Sequence, residues 1–180
     1  MSVIAYLNTL IHYYIMVKKL LLLLIALAMA VVSQAQSAAP QLEFVLELKV
    51  RVAQGYSVGK TVAGDRFVIP IIGGTFEGPE IKGEVLSGGA DYQLINTDKG
   101  RTDLEAIYCI RTDDGVNSHV RNRGLIAGDY FYCSPQFEAP LDSKYGWINN
   151  NIYVCRPTGF GEGEIRLGVW RVCDGSAPDK

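Results

Sequence analysis

The chain has 180 residues, of which 48% are apolar and 20% are charged. This balance excludes a disordered tail and a collagen-like chain, because a chain this rich in apolar residues can bury a core. The formal net charge is −2 and the isoelectric point is ≈ 5.7. Both argue against a nucleic-acid-binding protein, since such proteins carry a basic stripe.

The N-terminal region has the pattern of a secretory signal peptide. Lys18 and Lys19 precede an unbroken apolar run over residues 20–32, and Ser33-Gln34-Ala35 then supplies a small-x-small cleavage site. An apolar run of this length suits a signal peptide and is short for a helix that spans a bilayer. We therefore predict a signal peptide over residues 1–35. An uncleaved N-terminal anchor is the alternative interpretation.

Cleavage would leave residues 36–180 as a single domain, exported to the periplasm or to the outside of the cell. All 19 glycines and all four cysteines lie in this part of the chain. Residues 1–15 are unusually apolar for the start of a signal peptide, so Met16 is an alternative start. After cleavage, we expect no stable membrane insertion.

Alternating apolar and polar residues predict strands throughout this domain. Over residues 42–52 the apolar side chains, from Leu42 and Phe44 to Val52, are expected to share one face, with charged residues on the other. No later segment has helical apolar spacing over a helical length. Shorter strands are predicted at 66–72, 80–86, 92–97, 104–111, 117–126, 130–137, 146–155 and 164–172.

Turn-forming residues separate these segments. Gly and Asp recur in 62–65, 97–100 and 113–115, where positive φ angles suit tight turns. Nine or ten strands, spaced about every ten residues, predict an antiparallel sandwich or a closed barrel. Interior glycines, at positions 73, 74, 83, 88 and 89, are typical of bulges and corners, so we favour a barrel of about 8–10 strands.

Six ordered blocks resemble a known family. They are PIIGGTFEGP (70–79), GEVLSGGADYQ (83–93), RTDDG (111–115), VRNRG (120–124), PQFE (135–138) and YGWIN (145–149). This succession is similar to the DUF3237 family, also called UPF0311, of small uncharacterised β-barrel proteins, over residues 42–172. The resemblance implies a calycin-like, lipocalin-like barrel and no agreed reaction. The export signal and a short connection at 126–129 depart from the family pattern.

Asp91 and Gln93 are the first candidate site residues. On a strand they share a face, so if that face is inward an acid and an amide lie in a cavity of low dielectric constant. A carboxyl group there can act as a general acid or base. The structural alternative is an Asp that accepts hydrogen bonds from backbone amides after the Gly88-Gly89 turn.

Glu138 and Arg123 are a second candidate pair. Asn122 and Arg123 alternate, so only one of them faces inward. An inward Arg123 beside Glu138 would bind an anionic ligand, or would form a structural ion pair. Glu138 is also the alternative to Asp91 as a catalytic acid or base.

Tyr145, Trp147 and Asn149 share one face if their segment is a strand. An aromatic wall that ends in an amide suits a planar ligand, although the same pattern describes ordinary core. His119 is the only histidine after residue 35, and we expect it on the surface. A metal site built on several histidines is excluded by this count.

Four cysteines in an exported chain favour disulfides. A hairpin that turns near residues 141–144 would place Cys133 opposite Cys155, so we predict a Cys133–Cys155 bond and, for the remaining two, a Cys109–Cys173 bond. Four buried free thiols are the alternative. A zinc site is a weak interpretation because no Cys-x-x-Cys spacing occurs.

Three functions remain open at this level. The first is a barrel that binds a small apolar or aromatic molecule through Asp91, Gln93, Arg123, Tyr145, Trp147 or Asn149. The second is an acid/base enzyme of the isomerase, lyase or hydratase type that uses Asp91 or Glu138 in the same cavity. The third is a structural protein with a filled barrel. No metal, cofactor or nucleic-acid partner is indicated, and the oligomeric state is open.

Overall fold

The computed structural model describes residues 3–33 and 39–174, and the chain divides into two compact units, 1–39 and 40–180. The first unit contains one helix, α1 (Val3–Ser33). Its segment Leu7–Leu24 is long and apolar enough to cross a membrane, a test that signal sequences near an N-terminus also pass. The predicted cleavage site after Ala35 lies outside the described residues.

The second unit consists mainly of ten strands. Two short 3-10 helices, Thr97–Lys99 and Gly146–Asn150, interrupt them. The strands are β1 (Gln41–Val52), β2 (Tyr56–Thr61), β3 (Gly64–Glu77), β4 (Lys82–Val85), β5 (Gly89–Asn96), β6 (Arg101–Thr112), β7 (Asn117–Ala127), β8 (Tyr130–Glu138), β9 (Tyr153–Gly161) and β10 (Glu164–Cys173).

All of these strands pair antiparallel and form a ring. The path runs β1-β10-β9-β8-β7-β6, continues through β4 and β5 to β3, and closes where β3 pairs with β1. β2 forms a hairpin with β3. The predicted antiparallel all-β architecture is thus confirmed, in a barrel-like ring. Sequence analysis missed β2 and was wrong about residues 146–150, which form a 3-10 helix.

A bulge changes the face of β1 that is buried. The register of β1 against β10 shifts between Phe44 and Leu46, and Val45 is buried beside Leu46. Leu46, Leu48 and Val50 face the interior as predicted. Leu42 and Phe44 are exposed, contrary to the prediction of an unbroken alternation, because one extra residue reverses the side-chain pattern.

The two ends of the ring are filled differently. At one end large side chains are fully buried, and the 3-10 helix Gly146–Asn150 packs against them through Ile148; they include Leu46, Phe76, Ile110, Val120, Tyr153 and Val169. Toward the other end the same strands surround a cavity: along β1, Leu46 and Leu48 belong to the core and Val50 and Val52 line the cavity. The ring therefore has one end filled by packed side chains and one end that contains a cavity.

A substitution at Gly83 tests how closely the backbones of β4 and β6 approach each other. A Cβ atom at this position would lie 2.0 Å from the backbone oxygen of Arg111, whereas one at Gly161 would have its nearest neighbour at 3.6 Å. We expect Gly83→Ala to lower the free energy of unfolding by about 1–3 kcal/mol through overpacking. Urea unfolding measures the effect. Gly161→Ala is the matched control, and an equal loss in both variants would contradict the close approach.

Candidate functional site

The candidate site is the cavity inside the open end of the ring. It has a volume of ≈ 290 Å³ and its wall is mostly apolar. This volume lies near the lower end of the range of small-molecule pockets, about 300–1,000 Å³. The apolar lining comes from strands around the whole ring and includes Val50, Ile69, Leu104, Ile126, Phe131 and Leu167.

Asp91 and Gln93 face this cavity from β5. Asp91 pairs with Ile69 of β3, another lining residue, so strand alternation directs Asp91 and Gln93 inward together. Gln93 Nε2 donates a hydrogen bond to Asp91 Oδ2 at 2.8 Å. Asp91 Oδ1 is buried and has no hydrogen-bond partner among the described residues. The face of β5 that carries Asp91 and Gln93 is thus the inward one, which was the condition set in the sequence analysis. A catalytic role for Asp91 stays a prediction.

Burial raises the pKa of the Asp91 carboxyl above its ordinary value. The hydrogen bond from Gln93 and the backbone N–H of Glu105 favour the ionised form and partly oppose this shift. Desolvation is the larger effect because charge is poorly stabilised in an apolar cavity. The site therefore holds a carboxyl group whose proton is retained to higher pH than on a solvated Asp.

Two further polar side chains, which the sequence analysis did not select, line the same cavity. Tyr108 on β6 is buried and its hydroxyl group has no hydrogen-bond partner among the described residues. The same is true of Asn122 Oδ1 on β7. The sequence contains a signal that would have placed Asn122 inside the ring. His119, Arg121 and Arg123 occupy the alternate positions of β7, and three charged or ionisable side chains in a row indicate the outer face, so Asn122 belongs to the inner one.

Cys133 and Cys155 lie in the wall beside these groups. They are register partners on β8 and β9, as the hairpin argument predicted, and both are buried. Asn122 Nδ2 lies 3.7 Å from Cys155 Sγ. The hydrogen bond between the two thiols, together with burial, raises the pKa of Cys133. Both cysteines are free thiols in this structure, so a bond between them stays a prediction.

The predicted Cys109–Cys173 disulfide is wrong. Cys109 is exposed on β6 and Cys173 ends β10, and three strands separate β6 from β10 in the ring. Neighbouring strands lie about 4.8 Å apart, whereas a disulfide needs Cα atoms within about 7 Å of each other. Pairing the two cysteines by elimination ignored this distance.

Arg123 and Glu138 do not form a pair and do not reach the cavity. Arg123 is on the outer face of β7, where its Nε donates to Glu105 Oε1 at 2.9 Å and lowers the pKa of that carboxyl. The side chain of Glu138 is 79% exposed, and its Oε1 lies 3.8 Å from His119 Nδ1. The expected position of Glu138 beside Asp91 in the cavity is therefore wrong. The outer position of His119 agrees with its expected place on the surface.

Tyr145, Trp147 and Asn149 do not form an aromatic wall in the cavity. Trp147 and Asn149 belong to the 3-10 helix at the packed end and Tyr145 is its N-cap residue; in such a helix residues two apart do not share a face. Tyr145 donates a hydrogen bond to Asp114 Oδ1 at 2.9 Å, and Asn149 accepts from the N–H and donates to the carbonyl of Ala139. The prediction that these residues bind a ligand in the cavity is wrong. Their hydrogen bonds hold the 3-10 helix in place at the packed end of the ring.

No metal centre is found in the part of the chain that the structure describes: no group of three His, Cys, Asp or Glu side chains there is placed to hold an ion. The polar groups of the cavity are a carboxyl, two amides, a phenol and a thiol. This set can exchange hydrogen bonds and one proton with a bound molecule.

Comparisons with known proteins agree with this architecture. Residues 40–130 match the family described as "Protein of unknown function (DUF3237)". A UPF0311 protein of Clostridium acetobutylicum is 33% identical over 132 residues, which cover 63% of this chain and 82% of that protein. A crystal structure of a "beta-barrel like protein" from Acinetobacter baumannii superposes with a TM-score of 0.67 at 28% identity, over 77% of this chain and 99% of the other.

One relative carries an activity in its name. It is a "Hydroalkoxylation enzyme" of Penicillium herquei, 29% identical over 133 residues, which cover 74% of this chain and 84% of that protein. A crystal structure of an enzyme from the same organism has a TM-score of 0.62 at 25% identity, over 77% of this chain and 98% of the other.

Asp91→Asn tests the raised pKa of the buried carboxyl. The pKa of Asp91 is higher in the folded protein than in the unfolded chain. The free energy of unfolding therefore falls as the pH rises from the unfolded-state pKa through the folded-state pKa. An amide carries no charge, so we expect the variant to raise the urea midpoint at pH 8 and to lose this advantage at pH 4. Glu138→Gln, a carboxylate-to-amide change outside the cavity, is the control and should not raise the urea midpoint at pH 8. A midpoint lowered at pH 8 by Asp91→Asn would contradict the argument.

Proposed function

We propose that this chain, which belongs to the DUF3237 family of proteins of unknown function, binds a small, largely apolar molecule inside the open end of its ring of strands. One observation carries the proposal. Three buried polar atoms, Asp91 Oδ1, Tyr108 Oη and Asn122 Oδ1, have no hydrogen-bond partner among the described residues, and all three side chains line the same apolar cavity.

The energetics of burial support a ligand at this place. A buried polar group without a partner costs about 1–3 kcal/mol, so folded proteins seldom keep three together without a use for them. A bound molecule with a polar group would supply partners and fill the apolar space. A barrel-like ring of antiparallel strands with one packed end and one open end suits this role, since barrels hold small ligands at the mouth.

Native mass spectrometry of the protein, purified without denaturation, tests the binding. We expect a reproducible additional mass that Ala106→Phe removes, because Ala106 lines the cavity and a phenyl ring there would occupy its space. Glu138→Gln, on the outer surface, should retain the adduct. No adduct, even after incubation with a metabolite extract, would contradict the proposal and favour a structural protein with a filled barrel.

The same spectrum tests export and the cysteine pair. We propose that residues 1–35 direct export and are removed, and that Cys133 and Cys155, opposite each other across β8 and β9, are joined in an oxidising compartment. Their oxidation releases two hydrogens to a thiol-oxidising disulfide of the export pathway. A mature mass that begins at Gln36 and is lighter by two hydrogens is expected; a full-length reduced chain would contradict both parts.

A second candidate function is proton-transfer catalysis in the same cavity. Two observations favour it. The Asp91 carboxyl group lies in an apolar wall, and one of its oxygens has no hydrogen-bond partner among the described residues; in addition, a relative is named a hydroalkoxylation enzyme. Hydroalkoxylation adds an O–H group across a C=C bond. In such a reaction the Asp91 carboxyl would give its proton to one alkene carbon. The substrate oxygen would then bond to the other carbon and return its own proton to the Asp91 carboxylate.

A phenol with an alkenyl group ortho to its hydroxyl is a direct probe of this chemistry. We expect the protein to close the ring, and the rate to fall as pH rises through the pKa of Asp91, because only the protonated carboxyl donates. Asp91→Asn should reduce the rate by about 10²–10⁴-fold while the substrate still binds. Glu138→Gln is the control. Ring closure at the same rate in Asp91→Asn would contradict the assignment of the acid.

A further inference from the structure

The charges around the cavity decide which ligands it can hold. Among the described residues that line it there is no Lys, Arg or His, and Asp91 is the only carboxyl group. An anionic ligand would lose its hydration without gaining a counter-charge, which is costly in an apolar site. The cationic side chains of β7, Arg121 and Arg123, are on the outer surface and pair with Glu105.

The unpartnered atoms define the polar group that the site can satisfy. Asn122 Oδ1 can only accept a hydrogen bond, while the Tyr108 hydroxyl can donate one. An alcohol or phenol hydroxyl does both at once: it donates to an acceptor and accepts from a donor. An ether only accepts, so it leaves Asn122 Oδ1 without a partner. An ammonium group can donate to both oxygens, but it leaves the Tyr108 O–H without an acceptor.

We propose that the cavity selects neutral, largely apolar molecules that carry a hydroxyl group, and that it excludes the corresponding carboxylates. The inference rests on the proposed binding function and narrows it to a ligand class. Tyr108 and Asn122 recognise the hydroxyl group, and the apolar wall holds the hydrocarbon body. Tyr108 Oη and Asn122 Oδ1 have no hydrogen-bond partner among the described residues, and the hydroxyl group of the ligand would supply one for each.

Four probes of one skeleton separate the alternatives: naphthalene, 2-naphthol, 2-naphthoate and 2-naphthylmethylammonium. Equilibrium dialysis against the full chain at pH 7 gives a Kd for each. We expect 2-naphthol to bind about tenfold more tightly than naphthalene, since one or two net hydrogen bonds are worth about 0.5–1.5 kcal/mol each. The carboxylate probe should bind more weakly than naphthalene, because no cation lines the described part of the cavity. The ammonium probe tests whether Asp91 acts instead as the counter-ion of a cationic ligand.

Tyr108→Phe and Asn122→Leu assign the recognition to residues. Each should reduce the preference for 2-naphthol over naphthalene to about threefold or less. Tyr108→Phe removes only a hydroxyl group that has no partner among the described residues, so it should not lower the urea midpoint. Asn122→Leu also removes the contact of Nδ2 with Cys155 Sγ, so its test is the ratio of the two affinities. A merely structural role would lower the midpoint and leave the ratio of the two affinities unchanged. Glu138→Gln should change neither quantity.

The outcomes separate this inference from the binding function itself. Equal affinities for naphthalene and 2-naphthol, or tightest binding of 2-naphthoate or the ammonium probe, would overturn the ligand class while the cavity still binds. Failure of all four probes to bind would also overturn it. In that case, native mass spectrometry of the wild-type protein and of Ala106→Phe shows separately whether the cavity binds any molecule.

Discussion

β1 pairs along one side with β10 and along the other with β3, and this double pairing closes the sheet into a ring. Closure gives every strand an inside and an outside, so a side chain's position in the alternation decides whether it meets the cavity or water. Close backbone approach makes the closure possible. A Cβ at Gly74 would lie 2.0 Å from the backbone oxygen of Lys49, so glycine is required where β3 meets β1.

The packed end of the ring supports the groups at the open end. Its buried aromatic and aliphatic side chains, such as Phe76, Leu46 and Tyr153, contribute most of the hydrophobic stabilisation. Phe137 and Tyr153 meet edge to face with ring centroids 5.0 Å apart. The 3-10 helix is held by Asn149 on Ala139 and by Tyr145 on Asp114. This packing offsets the cost of the unpartnered polar atoms on the other side of the core.

Strand alternation was the most informative feature of the sequence, and its limits explain the errors. It placed Asp91 and Gln93 on one face. It also showed that only one of Asn122 and Arg123 faces inward, but Arg123 was chosen and Asn122 is the residue that lines the cavity. The symmetry of a hairpin was enough to bring Cys133 opposite Cys155.

Alternation fails wherever the chain leaves a regular strand. The bulge at Phe44 and the 3-10 helix around Trp147 carry no distinctive local signal, because tertiary packing selects both. Tyr108 was not among the predicted site residues for a different reason. A tyrosine in an apolar strand pattern is typical of a core residue, and the sequence gives no sign that its hydroxyl group has no partner among the residues that the structure describes.

The distribution of charge limits the chemistry that this fold can perform. Ionised pairs such as Arg121 and Arg123 with Glu105 lie on the outer surface, where water screens them. The inner surface offers one carboxyl group with a raised pKa, flanked by neutral donors and acceptors. A site of this kind cannot stabilise an anion by pairing it with a cation. What it can do is orient a neutral molecule through hydrogen bonds and exchange a single proton with it, and both proposed functions use only these two abilities.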